Sequence, residues 1–340
     1  MAVADAVADT RDNAEYLALA DANANLLAQQ REIISRKRLK PFTKRTDIHG
    51  IVRLAVHSAM IGGSGWLIYL ATGTGWLIPA MLLHGILLGH LFAPMHECSH
   101  GTAFRTRWLN ETVLWVTGII IVWSPLYFRY DHAGHHTFAQ QAGRDPQFAV
   151  PKGSSWADYI YYTTGIHQWI KNGGWVIRHA SGRMAPFQRR FVPENELPRI
   201  YLEARVMVAV YAAVAVGAIV FQTWAPVIYW LIPTVIGVPV ARLVRIADHT
   251  GCAEESNLRT YARTVKTGPI TRFLCWNMPF HCEHHLAPSV PFHRLAALHA
   301  EVGHEMNSVG RGYIGVQWDI IKKHCVRNFR LHLGMNAGGV

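Results

Sequence analysis

Eight histidines stand in three short clusters: His96-Glu97-Cys98-Ser99-His100, His132-Ala133-Gly134-His135-His136 and His281-Cys282-Glu283-His284-His285. Neutral imidazole is the commonest protein ligand for a transition metal. On a helix, residues three and four apart share a face. His96 can therefore point with His100, and His281 with His284 or His285. The adjacent pairs His135/His136 and His284/His285 are splayed by roughly 100° on a helix of 3.6 residues per turn. Neighbours turned apart in this way suit two metal ions better than one. Residue type and spacing lead to a polyhistidine, binuclear metal site and leave zinc, iron, manganese and copper all open.

The elements that must position these side chains belong to a membrane. Half of the 340 residues are hydrophobic and only 16% are charged, against about a quarter in a soluble domain. The net charge of +11 comes with no nucleic-acid recognition motif, so it describes a basic surface facing the membrane or a partner. Cys98, Cys252, Cys275, Cys282 and Cys325 form no C-x-x-C pair, which favours a reducing compartment over a disulfide framework. Met1–Leu27 lacks a basic stretch followed by an apolar core, so no secretory leader is expected there.

From Leu54 to His96, and again from Val206 to Ala241, there is no Asp, Glu, Lys or Arg. Each run is too long for one span of about 20 residues and fits two. Gly73-Thr74-Gly75 turns the first, and Thr223-Trp224-Ala225-Pro226 the second. The expected fold is an all-α integral membrane protein of four transmembrane helices, in hairpins 54–96 and 206–241. Segments 97–205 and 242–340 form a helical cap carrying the metal site. Both hairpins return the chain to the side it left, so both termini, the boxes and every Lys and Arg share one side. The positive-inside rule makes that side cytoplasmic.

Residues 1–45 are expected to form an arm lying on the membrane surface, with Leu19, Leu26, Leu27, Ile33 and Ile34 on one face and a basic end at Arg36–Arg45. The main domain is then 46–340. Thr112–Trp123 is short for a span and reads as an interfacial or buried helix. The aromatic stretch Trp156–Trp175 reads as a membrane-interface belt that also roofs a substrate channel. Pro125 and Asp131 are expected to start the helix of the second cluster, with Asp131 as its cap. Pro279 opens the third cluster and Pro288 and Pro291 close it.

In this order and spacing the clusters, H-x3-H, H-x2-H-H and H-x2-H-H, closely resemble the histidine boxes of the membrane fatty acid desaturase family. The resemblance runs from about His84 to Leu298 and includes His96–Leu109, Asp131–Pro146 and Asn277–Pro291. The first box differs from the H-x4-H of animal acyl-CoA desaturases, so acyl-lipid and bacterial-type members are the nearer comparison. The resemblance implies two iron ions that use O2 to remove hydrogen from an unactivated methylene and then from its neighbour, giving a double bond. It also points to His249, in Ala247-Asp248-His249-Thr250-Gly251, as a ninth ligand beside the eight box histidines. Arg245 stands one helical turn before it, where some relatives have a neutral polar group.

Uncharged imidazoles leave about four positive charges on two divalent ions poorly compensated. Glu97, Asp131, Asp145, Asp248 and Glu283 are therefore candidates to accept from the rings' other nitrogens. His57 and His84 read as polar residues satisfied within the bundle, and His293, His299, His304, His324 and His332 as surface residues. The chain has no cysteine pattern for an iron–sulfur cluster, no haem-attachment motif and no Gly-rich dinucleotide loop. Electrons must come from an external donor, and an acidic ferredoxin with its reductase suits the basic face. The substrate is expected to be an acyl lipid with its chain in an apolar tunnel. Hydroxylation, ketolation or decarboxylation could use the same site, and a zinc hydrolase or metal transporter are the remaining alternatives.

Overall fold

A computed structural model describes residues 2–148 and 155–322, with side chains from Ala18 onward. Four helices are long and apolar enough to cross a membrane: Asp47–Ala71, Leu77–Ser99, Glu194–Val220 and Val227–Ile246. Asp47–Ala71 and Val227–Ile246 both pack on Leu77–Ser99, whereas Glu194–Val220 packs chiefly against helix Ile166–Ala180. The helices overrun the uncharged runs into charged residues, however. Asp47, Arg53, Arg242 and Arg245 are all helical, because intrahelical hydrogen bonding continues past the apolar stretch to the next capping position. Asp47 itself ties the first hairpin to the loop after the first box, accepting from the Thr106 N–H and hydroxyl at 2.8 Å each.

The hairpins meet backbone to backbone. A Cβ on Gly85 would lie 1.7 Å from the Pro233 carbonyl oxygen, and one on Gly237 would lie 2.0 Å from the Gly85 carbonyl carbon. Gly89 faces Ala241 one turn further on. Apolar lipid gives helices no hydrophobic reason to associate, so close approach through small residues supplies the packing. Helix Leu77–Ser99 is consequently the central one, with 61% of its apolar window buried, against 17% for Glu194–Val220. His84 is satisfied inside this bundle by Ser64 and the Tyr229 carbonyl, while His57 meets the Leu87 carbonyl through Nε2 and its Nδ1 has no partner among the described residues.

Helix Arg107–Ile120 runs into helix Pro125–Phe138 through a bend of 100°. Pro125 occupies the first turn of the second helix and Ser124 its N-cap position. The cap that satisfies the start comes from far away. Glu203, buried on Glu194–Val220, accepts from the Ser124 hydroxyl at 2.6 Å and from the Leu126 N–H at 2.9 Å. Asp131 is therefore not a cap, contrary to the sequence expectation: it lies in the helix interior and its carboxylate turns toward the site.

Helices Trp156–Thr164 and Ile166–Ala180 are apolar outward and polar inward. Ile160, Ile166, Ile170 and Ile177 are exposed, while His167, Gln168, Asn172 and His179 are buried. That reversed amphipathicity matches an interface belt. Helix Ala2–Ile33 and the residue after it seat Ile33 and Ile34 among Leu286, Ala287, Val290, Leu295 and Leu298. Gln30 donates to the Leu286 carbonyl at 2.5 Å, and Gln29 to that of Ser256 at 2.9 Å. The end of the arm thus buries apolar side chains on the third-box region, while Leu27 stays exposed. His324, His332 and Cys325 lie outside the described residues.

Candidate metal centre

Each box rides on its own short helix: Phe92–Ser99, Pro125–Phe138 and His281–Leu286. The third is fed by a strained turn in which Trp276 and Asn277 both have positive φ, 48° and 59°. Such strain costs of order 1–3 kcal/mol per residue and is retained where surrounding packing over-determines it. Here Trp276 is fully buried and the Asn277 amide donates to the Phe292 carbonyl at 2.9 Å.

The nine rings sort into two groups, each with ligand atoms within 4.8 Å of one another: His96, His100, His132, His136 and His284 in one, His135, His249, His281 and His285 in the other. The adjacent pairs are split between the groups, as their splay demands. Residues four apart stay together: His96 with His100, His132 with His136, His281 with His285. The Nε2 of His136 lies 3.1 Å from those of His132 and His284. In the other group the Nε2 of His249 lies 3.1 Å from that of His135 and 2.9 Å from that of His281. The groups adjoin through His136 and His285, whose rings stack at 4.2 Å.

Hydrogen bonds fix what these nitrogens can be. The His135 Nδ1–H donates to Asp145 at 2.9 Å, and the His249 Nδ1–H to the Tyr261 carbonyl at 2.9 Å. Both acceptors lack a proton to give, so each ring must keep its hydrogen on Nδ1 and a lone pair on Nε2. Two lone pairs then face each other at 3.1 Å, an arrangement that a cation relieves and a hydrogen bond cannot. Nitrogens bound to one ion at about 2.1 Å lie about 3 Å apart when their bonds diverge near a right angle. The donor set fits a metal ion in each group. Burial and mutual repulsion hold His132, His136, His284 and His285 well below the ordinary histidine pKa. His100 is brought down to about 3, mainly by burial and then by Arg129. The rings are neutral, the state in which they ligate.

Among the five carboxylates expected to orient rings, only Asp145 accepts directly from a box histidine among the described residues. Asp131 acts at one remove: Gln147 donates to it at 2.9 Å and stands 3.4 Å from His132 Nδ1. Glu283 accepts instead from the Thr264 hydroxyl and from His299, at 2.6 and 2.5 Å. That also corrects His299, which is a half-buried partner of the third box and not a surface residue. Glu97 accepts from Thr102 and from the Phe292 N–H, tying the first box to the helix after the third. Asp248 lines a cavity with His249 and His281. His293 is half-buried and stacks on His49, whereas His304 is exposed as expected. The Tyr261 carbonyl, Gln147 and His299 carry no motif, and only the folded chain brings them to the boxes.

Two cavities reach the rings. One, chiefly apolar, lies between the hairpins against Gly89, Phe92, Ala93, Ala241, Val244 and Met278. The other is the more polar of the two and is walled by His167, Gln168, Lys171, Arg242 and Arg245.

Four membrane-length helices carrying nine convergent imidazoles at one end define an integral membrane protein of the polyhistidine metal type. The chain belongs to the fatty acid desaturase family, whose profile matches residues 74–316 and so contains all nine rings. An sn-1 oleoyl-lipid 12-desaturase of Anabaena variabilis is 21% identical over 285 residues, covering 77% of this chain and 79% of that protein. One from Picosynechococcus sp. is 20% identical over 244 residues, 66% of this chain and 69% of its own length. The fatty acid conjugase FAC2 A of Calendula officinalis is 26% identical over 98 residues, 29% of this chain and 25% of its own. The protein is an oxidoreductase of the fatty acid desaturase type, acting on a fatty acyl substrate.

Proposed function

We propose that this protein is an O2-dependent fatty acyl desaturase in which His96, His100, His132, His136 and His284 hold one iron ion and His135, His249, His281 and His285 a second. The convergence of nine lone-pair nitrogens into two groups carries this reading. The overall change is –CH2–CH2– + O2 + 2 e⁻ + 2 H⁺ → –CH=CH– + 2 H2O. The bound irons would supply the oxygen-activating chemistry.

The protein's own part is positional. Asp145 and the Tyr261 carbonyl hold His135 and His249 in the ligating tautomer. Asp131 anchors the Gln147 amide, which stands beside His132 and limits how its ring can turn without setting its tautomer. Glu97, Asp248 and Glu283 brace the segments around the rings. The apolar cavity between the hairpins would receive an acyl chain and exclude water from the methylenes being oxidised.

The two hairpin turns, 72–76 and 221–226, carry no Asp, Glu, Lys or Arg. Under the positive-inside rule this puts both termini and the metal centre on the cytoplasmic side. Electrons would come from an acidic external donor such as ferredoxin. Arg45, Arg105, Arg107 and Arg129 surround a depression that opens on His100, a ring of the five-membered group. Only Arg129 of these four is paired, to Glu111 at 2.9 Å, among the described residues. Charge complementarity there would steer an acidic partner to the metal, with an on-rate that falls as salt rises.

Product analysis tests the reaction. Membranes containing the protein, given O2 and reduced ferredoxin, should convert an acyl substrate to a product lighter by two hydrogens. A gain of oxygen or loss of carbon dioxide would replace desaturation by one of its alternatives. Turnover without O2 would end the oxidoreductase reading.

A further inference from the structure

The polar cavity contains more buried positive charge than the metal ligands require. Lys171, Arg242 and Arg245 line it, against Asp131 and Asp248. Arg242 is 3% exposed and is held entirely by neutral acceptors: the Tyr162 carbonyl at 3.1 Å, Gln168 Oε1 at 3.0 Å and His167 Nε2 at 2.8 Å. Its guanidinium also lies 3.6 Å over the Tyr162 ring. Arg245, one turn on, is placed by stacking. It sits 3.7 Å over Phe92 and 5.0 Å from the Trp123 ring, and among the described residues it donates one long hydrogen bond, to Gln168 at 3.4 Å. The ion pairs among the described residues include neither arginine.

A guanidinium has five donors in a planar fork. Stacking fixes the plane of Arg245 and leaves most of that fork for something else. Asp248 is the nearby anion, and it also stands beside His249 and His281; with cations held by those rings, a further anion would offset the charge that remains.

Arg245 is also where the two cavities meet. Phe92, His96, Arg245, Asp248 and His281 line both. One amphiphile can therefore put its chain between the hairpins and its charged end against Arg245, with a ring of each histidine group alongside. Three cationic side chains outnumber the two carboxylates of the lining even before any metal charge is added, which favours an anion, and a planar fork suits a carboxylate.

Resting on the desaturase reading of the site, we infer that the polar cavity seats the carboxylate of a free fatty acid, with Arg245 as the residue that receives it. Arg242 and Gln168 form the frame that aims Arg245. The carbons presented to the histidine groups are then those close to the carboxyl end, not those in mid-chain. Arg245 is in this sense a specificity residue, and the head group is read at the centre itself.

Competition binding tests this directly. The metal-loaded protein in phosphatidylcholine nanodiscs is saturated with radiolabelled dodecanoic acid and displaced with unlabelled dodecanoic acid, methyl dodecanoate or a phosphatidic acid. The acid should displace at concentrations about tenfold or more below the ester and the phospholipid, the effect of one charge-assisted contact. Arg245→Gln should erase that preference, and Arg245→Lys should restore part of it. Equal displacement by acid and ester in the unmodified protein would overturn the inference, even if Arg245→Gln failed to fold. So would a preference that survives Arg245→Gln, or tighter displacement by phosphatidic acid, which would reassign the cavity to a phospholipid head. Binding and chemistry fail separately. Acid preference without any O2-dependent dehydrogenated product would fault the desaturase reading alone, and mid-chain desaturation of acid and ester alike would fault this inference alone.

Discussion

The five-ring and four-ring groups reach a similar end by different means. In the four-ring group, His135 and His249 have their distal nitrogens fixed by Asp145 and by a backbone carbonyl, and their Nε2 atoms face each other. In the five-ring group the Nδ1 atoms of His96, His136 and His284 meet no hydrogen-bond partner among the described residues. His132 has only the long approach of Gln147. One group is short of rings and has two of its four, His135 and His249, held in orientation, although His285 Nδ1 meets no partner among the described residues there either; the other has an extra ring and no ring so held. Ligand number and ligand orientation are thus alternative ways to hold a metal in a buried, uncharged setting.

That contrast can be broken most sharply by taking one ring from each group. His249→Ala leaves three rings, and turnover should fall on the order of a thousandfold with loss of metal from that group. His100→Ala leaves four and should cost about tenfold to a hundredfold. Equal losses in metal content and rate for the two variants would mean that the extra ring is not a reserve.

Orientation comes next. Asp145→Asn should weaken metal retention in the four-ring group by roughly 10–100-fold, read by chelator competition. Asp131→Asn, acting only through Gln147, should do less. The scaffold ought to treat both groups alike. Gly85→Val pushes side-chain atoms into the Pro233 carbonyl and should cost about 1–3 kcal/mol of stability, lowering the thermal midpoint and loosening both groups together. Glu203→Gln weakens the cap on the second-box helix, worth about 1–3 kcal/mol for a buried charged acceptor. Since that helix feeds both groups, metal loss should again be shared.

The smallest effect is in pH. His132, His136, His284 and His285 have folded pKa values depressed by burial below the ordinary 6.5. As pH falls through about 6.5 the unfolded chain takes up protons that the folded chain refuses. Stability is therefore full above that value and declines below it. Denaturant titrations of metal-free protein at pH 7.5 and 5.5 should show this decline; an unchanged midpoint would contradict it.

The boxes were legible because helical spacing is local. A spacing of four from His132 to His136, or from His281 to His285, places two rings on one face whatever the rest of the chain does. The four spans were legible because uncharged runs are unambiguous, although their ends were not: Asp47 and Arg245 are helical for reasons of hydrogen bonding that hydropathy does not register. What escaped is long-range. Glu203 caps a helix that begins at Pro125, Glu283 turns to His299, and the Tyr261 carbonyl has no side-chain signature at all. For the arm, leucine and isoleucine on a helix specify burial but not the partner, which for Ile33 and Ile34 is the region around the third box. Gly85 and Gly89, with Gly237 and Ala241, did carry a small-residue signal at four-residue spacing, which the hydrophobic runs around them obscure.

Metal analysis of the purified, unmodified protein tests the central claim most directly, by elemental quantitation together with iron spectroscopy. Two irons per chain, one for each group of convergent imidazoles, is the predicted result. A single tightly held zinc, with no iron bound under reducing conditions, would contradict the account.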